Sequence, residues 1–91
     1  MKICKRCLIS GKVQGVFFRN NTKSEAQSHN ITGWTRNLPN GDVEAIVCGE
    51  SEVVNAICEW FWKGPPAAKV TNVLIEEMPY EDHKDFSIRR D

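Results

Sequence analysis

ITGWTRNLPNGDVEAIVC, residues 31–48, reads as two strands and the turn that joins them. Pro39-Asn40-Gly41 supplies the turn, and Asn-Gly is the strongest short-range hairpin signal because both residues tolerate positive φ. Residues 31–37 (ITGWTRN) form the strand before it. Residues 42–48 (DVEAIVC) form the strand after it, setting Val43, Ala45 and Val47 against Asp42, Glu44, Ile46 and Cys48. That is the period of a strand with one buried face.

The elements on either side complete a pattern. Residues 3–10 (ICKRCLIS) read as a first strand with Cys7 and Ile9 on one face, followed by a loop from Gly11 to Phe18. A first helix is expected to start near Thr22, where Thr22 and Glu25 fit a capping box. It runs to about His29, and Asn30 ends it in the left-handed conformation. Ala26 is its only clear apolar residue, so its docking leans on Phe18 and Ile31. After the hairpin, Ser51 is placed to cap a second helix over about 52–63, with Val54, Ile57, Cys58 and Phe61 at helical spacing. Gly64-Pro65-Pro66 stops it. Residues 70–77 (VTNVLIEE) are a fourth strand, and Phe86-Ser87-Ile88 a short last one.

The order β-α-β-β-α-β, with right-handed crossovers, predicts a single α+β domain over residues 1–91. Its form is a two-layer sandwich: an antiparallel sheet with both helices on one face and the third strand between the first and second. Twelve basic residues balance twelve acidic ones among the 91. This neutrality argues against a nucleic-acid binder that works by bulk charge. RNA binding on the open sheet face would want basic residues and stacking aromatics, where the central strand offers Asp42, Glu44, Ile46 and Cys48. No apolar run approaches the roughly 20 residues of a membrane span, and MKICKRC is no signal peptide. The expectation is a cytoplasmic protein with no membrane association.

Cys4 and Cys7 have the spacing of a zinc knuckle or redox motif. On a strand, however, positions 4 and 7 point to opposite faces, and Cys48 and Cys58 are too far apart to form a second close pair, so no metal site is expected. The third strand runs antiparallel to the first, which puts Cys48 beside Cys4. The two can form a disulfide or remain free thiols, and a reducing compartment favours thiols. Cys7 and Cys58 read as small core residues.

GKVQGVFFRN, residues 11–20, lies where the first strand feeds the first helix. Backbone N–H groups at such a turn point outward, and the helix dipole favours an anion there. Gly11 and Gly15 let the backbone wrap closely, and Arg19 adds a planar fork suited to two phosphate oxygens. No P-loop pattern is present. The first two strands run parallel with one strand between them, so Arg19 and Asn37 meet at one sheet edge, roughly 10 Å apart along the backbone. No nucleophile–base pair accompanies them, and His29 and His83 read as solvated. Chemistry is then limited to binding, charge stabilisation and an oriented water. Hydrolysis of a mixed carboxylic–phosphoric anhydride fits, since a carboxylate departs without an acid. Asn37 either orients the water or bonds the turn backbone. A phosphate sensor with the same cradle and no turnover is the alternative function.

GKVQGVFFR (11–19) and GWTRNLPNGDVEA (33–45), at this spacing, resemble the two signature segments of acylphosphatases. GPPAAKV (64–70) and FSIR (86–89) are similar to the family's later segments, so the resemblance covers nearly the whole chain. It implies a ferredoxin-like fold and hydrolysis of acyl phosphates to a carboxylate and inorganic phosphate, without metal or organic cofactor. It also implies that Arg19 binds phosphate together with the backbone N–H groups of Gln14, Gly15, Val16, Phe17, Phe18 and Arg19, and that Asn37 positions the attacking water. Inorganic phosphate is expected as product and inhibitor, and the protein as a monomer. Thr35, Asn21, Asn30 and the C-terminal IRRD depart from the family's usual residues. No pocket for one particular acyl group is legible, which implies a permissive site.

Overall fold

Val43, Ala45 and Val47 are fully buried, and their strand lies at the centre of the sheet. The computed structural model describes residues 1–90. Its elements are β1 (Lys2–Lys12), α1 (Phe18–Ser28), β2 (Thr32–Asn37), β3 (Val43–Glu50), α2 (Ser51–Lys63), β4 (Lys69–Met78) and β5 (Phe86–Ile88). The five strands form one sheet in the order β4-β1-β3-β2-β5, with β3 between β1 and β2 as the sequence predicts. The sheet is not wholly antiparallel, because β5 pairs parallel with β2. The chain reverses after β4, so β5 runs in the direction of β1 and β2, and it docks beside β2 at the far edge.

The first helix departs most from expectation. It begins at Phe18, and Phe17 occupies the N-cap with no side-chain cap bond. Thr22 is therefore not a cap. It is fully buried, and its hydroxyl donates to the Phe18 carbonyl at 2.8 Å, one turn back. Phe18, Thr22 and Ala26 form the buried stripe of α1 at i, i+4, i+8. Tertiary packing sets the helix start: the Phe18 ring lies 6.0 Å from that of Phe61 and 5.8 Å from that of Trp60. Ser51 does not cap α2 either. It is the first helical residue, and its N–H donates to the Met1 carbonyl at 2.9 Å. Gly64 ends α2 at φ 62, where a Cβ would lie 2.8 Å from the Phe18 ring. Asn30 takes the predicted left-handed conformation, φ 57.

Between the layers, Val54, Ile57, Cys58 and Phe61 of α2 meet Cys7, Ile9 and Val73 of the sheet. The Cys7 and Cys58 sulfurs touch at 3.6 Å within this core. Cys4 lies on the opposite face of β1, in register with Cys48, and the two sulfurs are bonded at 2.03 Å. Cys4 and Cys48 pack with Ile46, Trp34 and Met78.

That open face is less acidic than the alternation implies. Asp42 precedes β3, and Glu44 is buried beneath Arg6 Nε at 2.6 Å and Arg36 Nε at 2.7 Å. Burial alone would raise the Glu44 pKa, but hydrogen bonds from Arg36 and Arg6 outweigh it and hold the carboxyl below its usual range. Arg36 and Arg89 in turn flank the Trp34 ring, so that aromatic is occupied by the protein's own cations.

Candidate active site

The segment between β1 and α1 alternates in backbone hand. Gly15 has φ 74 and Phe17 φ 63, with Val16 between them on the ordinary side. Such alternation turns successive N–H groups toward one point and forms an anion-binding concavity. The first N–H groups of α1 add to it, because the helix offers them no partner four residues back. The first turn of α1 contains no acidic residue.

The side chains divide by burial. Val13, Val16 and Phe18 face the core and are almost fully buried, which anchors the loop from below. At Gly15 no atom lies within 4 Å of where a Cβ would stand, so glycine is there for its φ and not for lack of room. A cavity of about 240 Å³ opens above the loop, lined by Val13, Gly15, Phe17, Phe18, Arg19, Asn20 and Asn37. The structure therefore brings Arg19 and Asn37 to one cavity, with Gly15, Phe17 and Phe18 beside them. Gln14 and Val16 do not line it.

Two observations define the polar groups. Among the described residues Arg19 takes part in none of the ion pairs, which use the N-terminus, Arg6, Arg36 and His83. Asn37 ends β2 opposite Val43, and its side chain makes no hydrogen bond to another described residue. The turn backbone is held instead by Gln14. Its amide donates to the Leu38 carbonyl at 2.8 Å and to the Asp42 carbonyl at 2.9 Å. One side chain thus ties the loop after β1 to the hairpin that begins directly after Asn37. Nothing in the sequence singled out this tether, since a glutamine in a turn carries no pattern of its own. Asn20 at the rim was likewise missed.

The remaining titratable candidates lie elsewhere. His29 caps the end of α1, exposed, with Nδ1 near the Glu25 carbonyl at 2.9 Å. His83 is on the loop between β4 and β5, part of a second cavity of about 490 Å³ at the opposite end of the sheet. Arg19 is the only ionisable side chain among the residues lining the first cavity. Among the described residues no group of three or more His, Cys, Asp or Glu could hold a metal ion.

Comparison with known proteins identifies the family and the fold. The acylphosphatase family profile matches residues 5–88. An acylphosphatase of Coxiella burnetii is 48% identical over 86 residues, covering 94% of this chain and 90% of that protein. A solved structure of an acylphosphatase from Coxiella burnetii superposes with a TM-score of 0.93 at 46% identity, covering 97% of this chain and 93% of that one. The crystal structure of acylphosphatase from Bacillus subtilis superposes with a TM-score of 0.92 at 33% identity, covering 98% and 99%. The ferredoxin-like arrangement is common to these structures and this chain.

Proposed function

The chain belongs to the acylphosphatase family, and we propose that two of its side chains, Arg19 and Asn37, carry the family's reaction here. That reaction cleaves the carboxyl–phosphate bond of an acyl phosphate and yields a carboxylate and inorganic phosphate. Arg19 and the N–H groups of residues 14–19 bind the phosphoryl oxygens. Asn37 orients a water for attack on phosphorus, adding no negative charge beside the phosphate.

The electron pair of the breaking P–O bond leaves on the carboxylate. This leaving group is a weak base, with a conjugate-acid pKa of about 4, so no general acid is needed. The cavity is lined by no general base, and the water's proton passes to a phosphoryl oxygen of the product. Catalysis then rests on positioning and on preorganised donors, which are strongest where water is partly excluded. Arg19 and the N–H groups meet the phosphate charge, so the reaction requires neither metal nor organic cofactor. Residues 1–91 act as one domain, a cytoplasmic monomer inhibited by its product phosphate. No helix among the described residues is long and apolar enough to cross a membrane.

The observation that carries this reading is one cavity that holds both Arg19 and Asn37, neither of which has a side-chain partner among the described residues. Hydrolysis of benzoyl phosphate with added chelator tests it in the wild type, Arg19→Ala and Asn37→Ala, each checked for folding. Removing one preorganised donor typically costs about 100-fold or more in kcat. The arginine variant is expected to lose turnover and phosphate inhibition together. The asparagine variant should lose turnover and still be inhibited by phosphate. A folded Arg19→Ala enzyme with near-wild-type turnover would refute the assignment.

A further inference from the structure

Phe17 stands in the left-handed region at φ 63, ψ 24, a conformation that is strained for an L-residue with a bulky side chain. Its side chain offers no packing in return, since the residue is 73% exposed. The rings that do pack against one another are Phe18, Trp60 and Phe61. A glycine would hold the same backbone without strain, and an asparagine nearly so. The chain instead sets a bare phenyl ring on the rim of the cavity that contains Arg19 and Asn37. The phosphoryl group and the water engage Arg19, the loop N–H groups and Asn37, which leaves the Asn20 amide and the apolar Phe17 ring at the rim.

We propose that Phe17 determines acyl specificity, its ring forming an apolar rim that favours acyl phosphates with an aromatic acyl group over those with a short aliphatic one. The inference rests on the cradle reading of Arg19 and Asn37. With the phosphoryl group held by the loop, the acyl group projects outward across the rim, where the Phe17 ring supplies the only large apolar surface among the exposed lining residues. An aromatic group laid against it covers both faces from water. A contact of this kind changes a rate ratio by about two- to tenfold. The left-handed backbone aims the ring outward while Phe18, the next residue, turns into the core.

The test compares kcat/KM for benzoyl phosphate and acetyl phosphate in the wild type, Phe17→Asn, Phe17→Gly and Phe17→Tyr. A disturbed cradle would affect both substrates, and that common loss cancels in their ratio. The benzoyl-to-acetyl ratio is expected to fall about two- to tenfold in the asparagine and glycine variants and to be retained in the tyrosine variant. An unchanged ratio in both truncated variants overturns the proposal. Phosphate competition in the wild type and loss of both substrates in Arg19→Ala are measured alongside. If those fail, the cradle reading fails and the rim with it; if they hold while the ratio stays fixed, only the rim is wrong.

Discussion

Replacing Gln14 with methionine keeps a side chain of similar length and removes both donors of the tether. Each lost bond is neutral and contributes about 0.5–1.5 kcal/mol net. The two carbonyls are not left bare: Asp42 still accepts from Leu38 N at 2.8 Å, and Leu38 from Gly41 N at 3.1 Å. The expected loss is therefore the net value of two bonds, about 2 kcal/mol, and not the larger penalty of orphaned acceptors. For a domain of this size that lowers Tm by about 8–16 °C. Activity should fall separately from stability. The tether joins the phosphate loop to the residue after Asn37, and misplacing a catalytic group by about 1 Å can cost about 100-fold. The hairpin retains its own backbone bonds, so we expect about a tenfold drop in kcat at a temperature where the variant is fully folded. The inhibition constant for phosphate should change less than kcat, because the cradle itself is intact. Thermal melts, kcat and phosphate inhibition on one preparation decide the matter. A lowered Tm with unchanged kcat would make Gln14 a purely structural brace, and an unchanged Tm would refute the bond accounting itself.

Glu44 governs part of the acid stability. Its folded pKa lies below the unfolded value, so its contribution is whole at neutral pH, fades as pH falls below the unfolded glutamate value of about 4.3, and is gone once pH passes below the folded pKa. Glu44→Gln should flatten the fall of Tm between pH 5 and pH 3, measured by circular dichroism; an equally steep fall would assign the acid transition to other carboxylates. The Cys4–Cys48 bond spans 44 residues and should contribute about 4 kcal/mol by restricting the unfolded chain. Reduction should lower Tm by about 15 °C or more, read by melts with and without reductant and by mass after alkylation. Fully alkylated protein that melts at the oxidised temperature would count against the entropic account.

Much of this architecture is legible because it depends on parity and order. The alternation of Val43, Ala45 and Val47 survives any shift of strand ends, and the opposite direction of β1 and β3 is enough to put Cys4 beside Cys48. The same topology brings the ends of β1 and β2 to one edge, which is why strand order alone pairs Arg19 with Asn37. What was misread depends on tertiary contacts. The capping-box pattern of Thr22 and Glu25 is real as a local preference, yet burying Phe18 against Phe61 and Trp60 outweighs a surface cap and starts α1 four residues earlier. Glu44 fits the pattern of an exposed position. Its burial follows from arginines on both neighbouring strands, which one-dimensional patterning does not relate. The sequence allows Asn37 two roles, and the Gln14 amide already fills one of them, the bond to the turn backbone.

The central place of β1 also bears on how the molecule is made. Both proposed site side chains belong to the first 37 residues, but β1 pairs with β3 and with β4, and Cys4 meets its β4 partner only at Met78. Ladders this far apart in sequence close slowly, because distant segments must be brought together before any bond rewards them. On a ribosome adding about 5–20 residues per second, Asn37 is synthesised about 2–8 s before Met78. Throughout that interval the nascent chain has the chemistry of the site and lacks the sheet that would hold it in place, and hydrolytic activity should appear only with the arrival of β4.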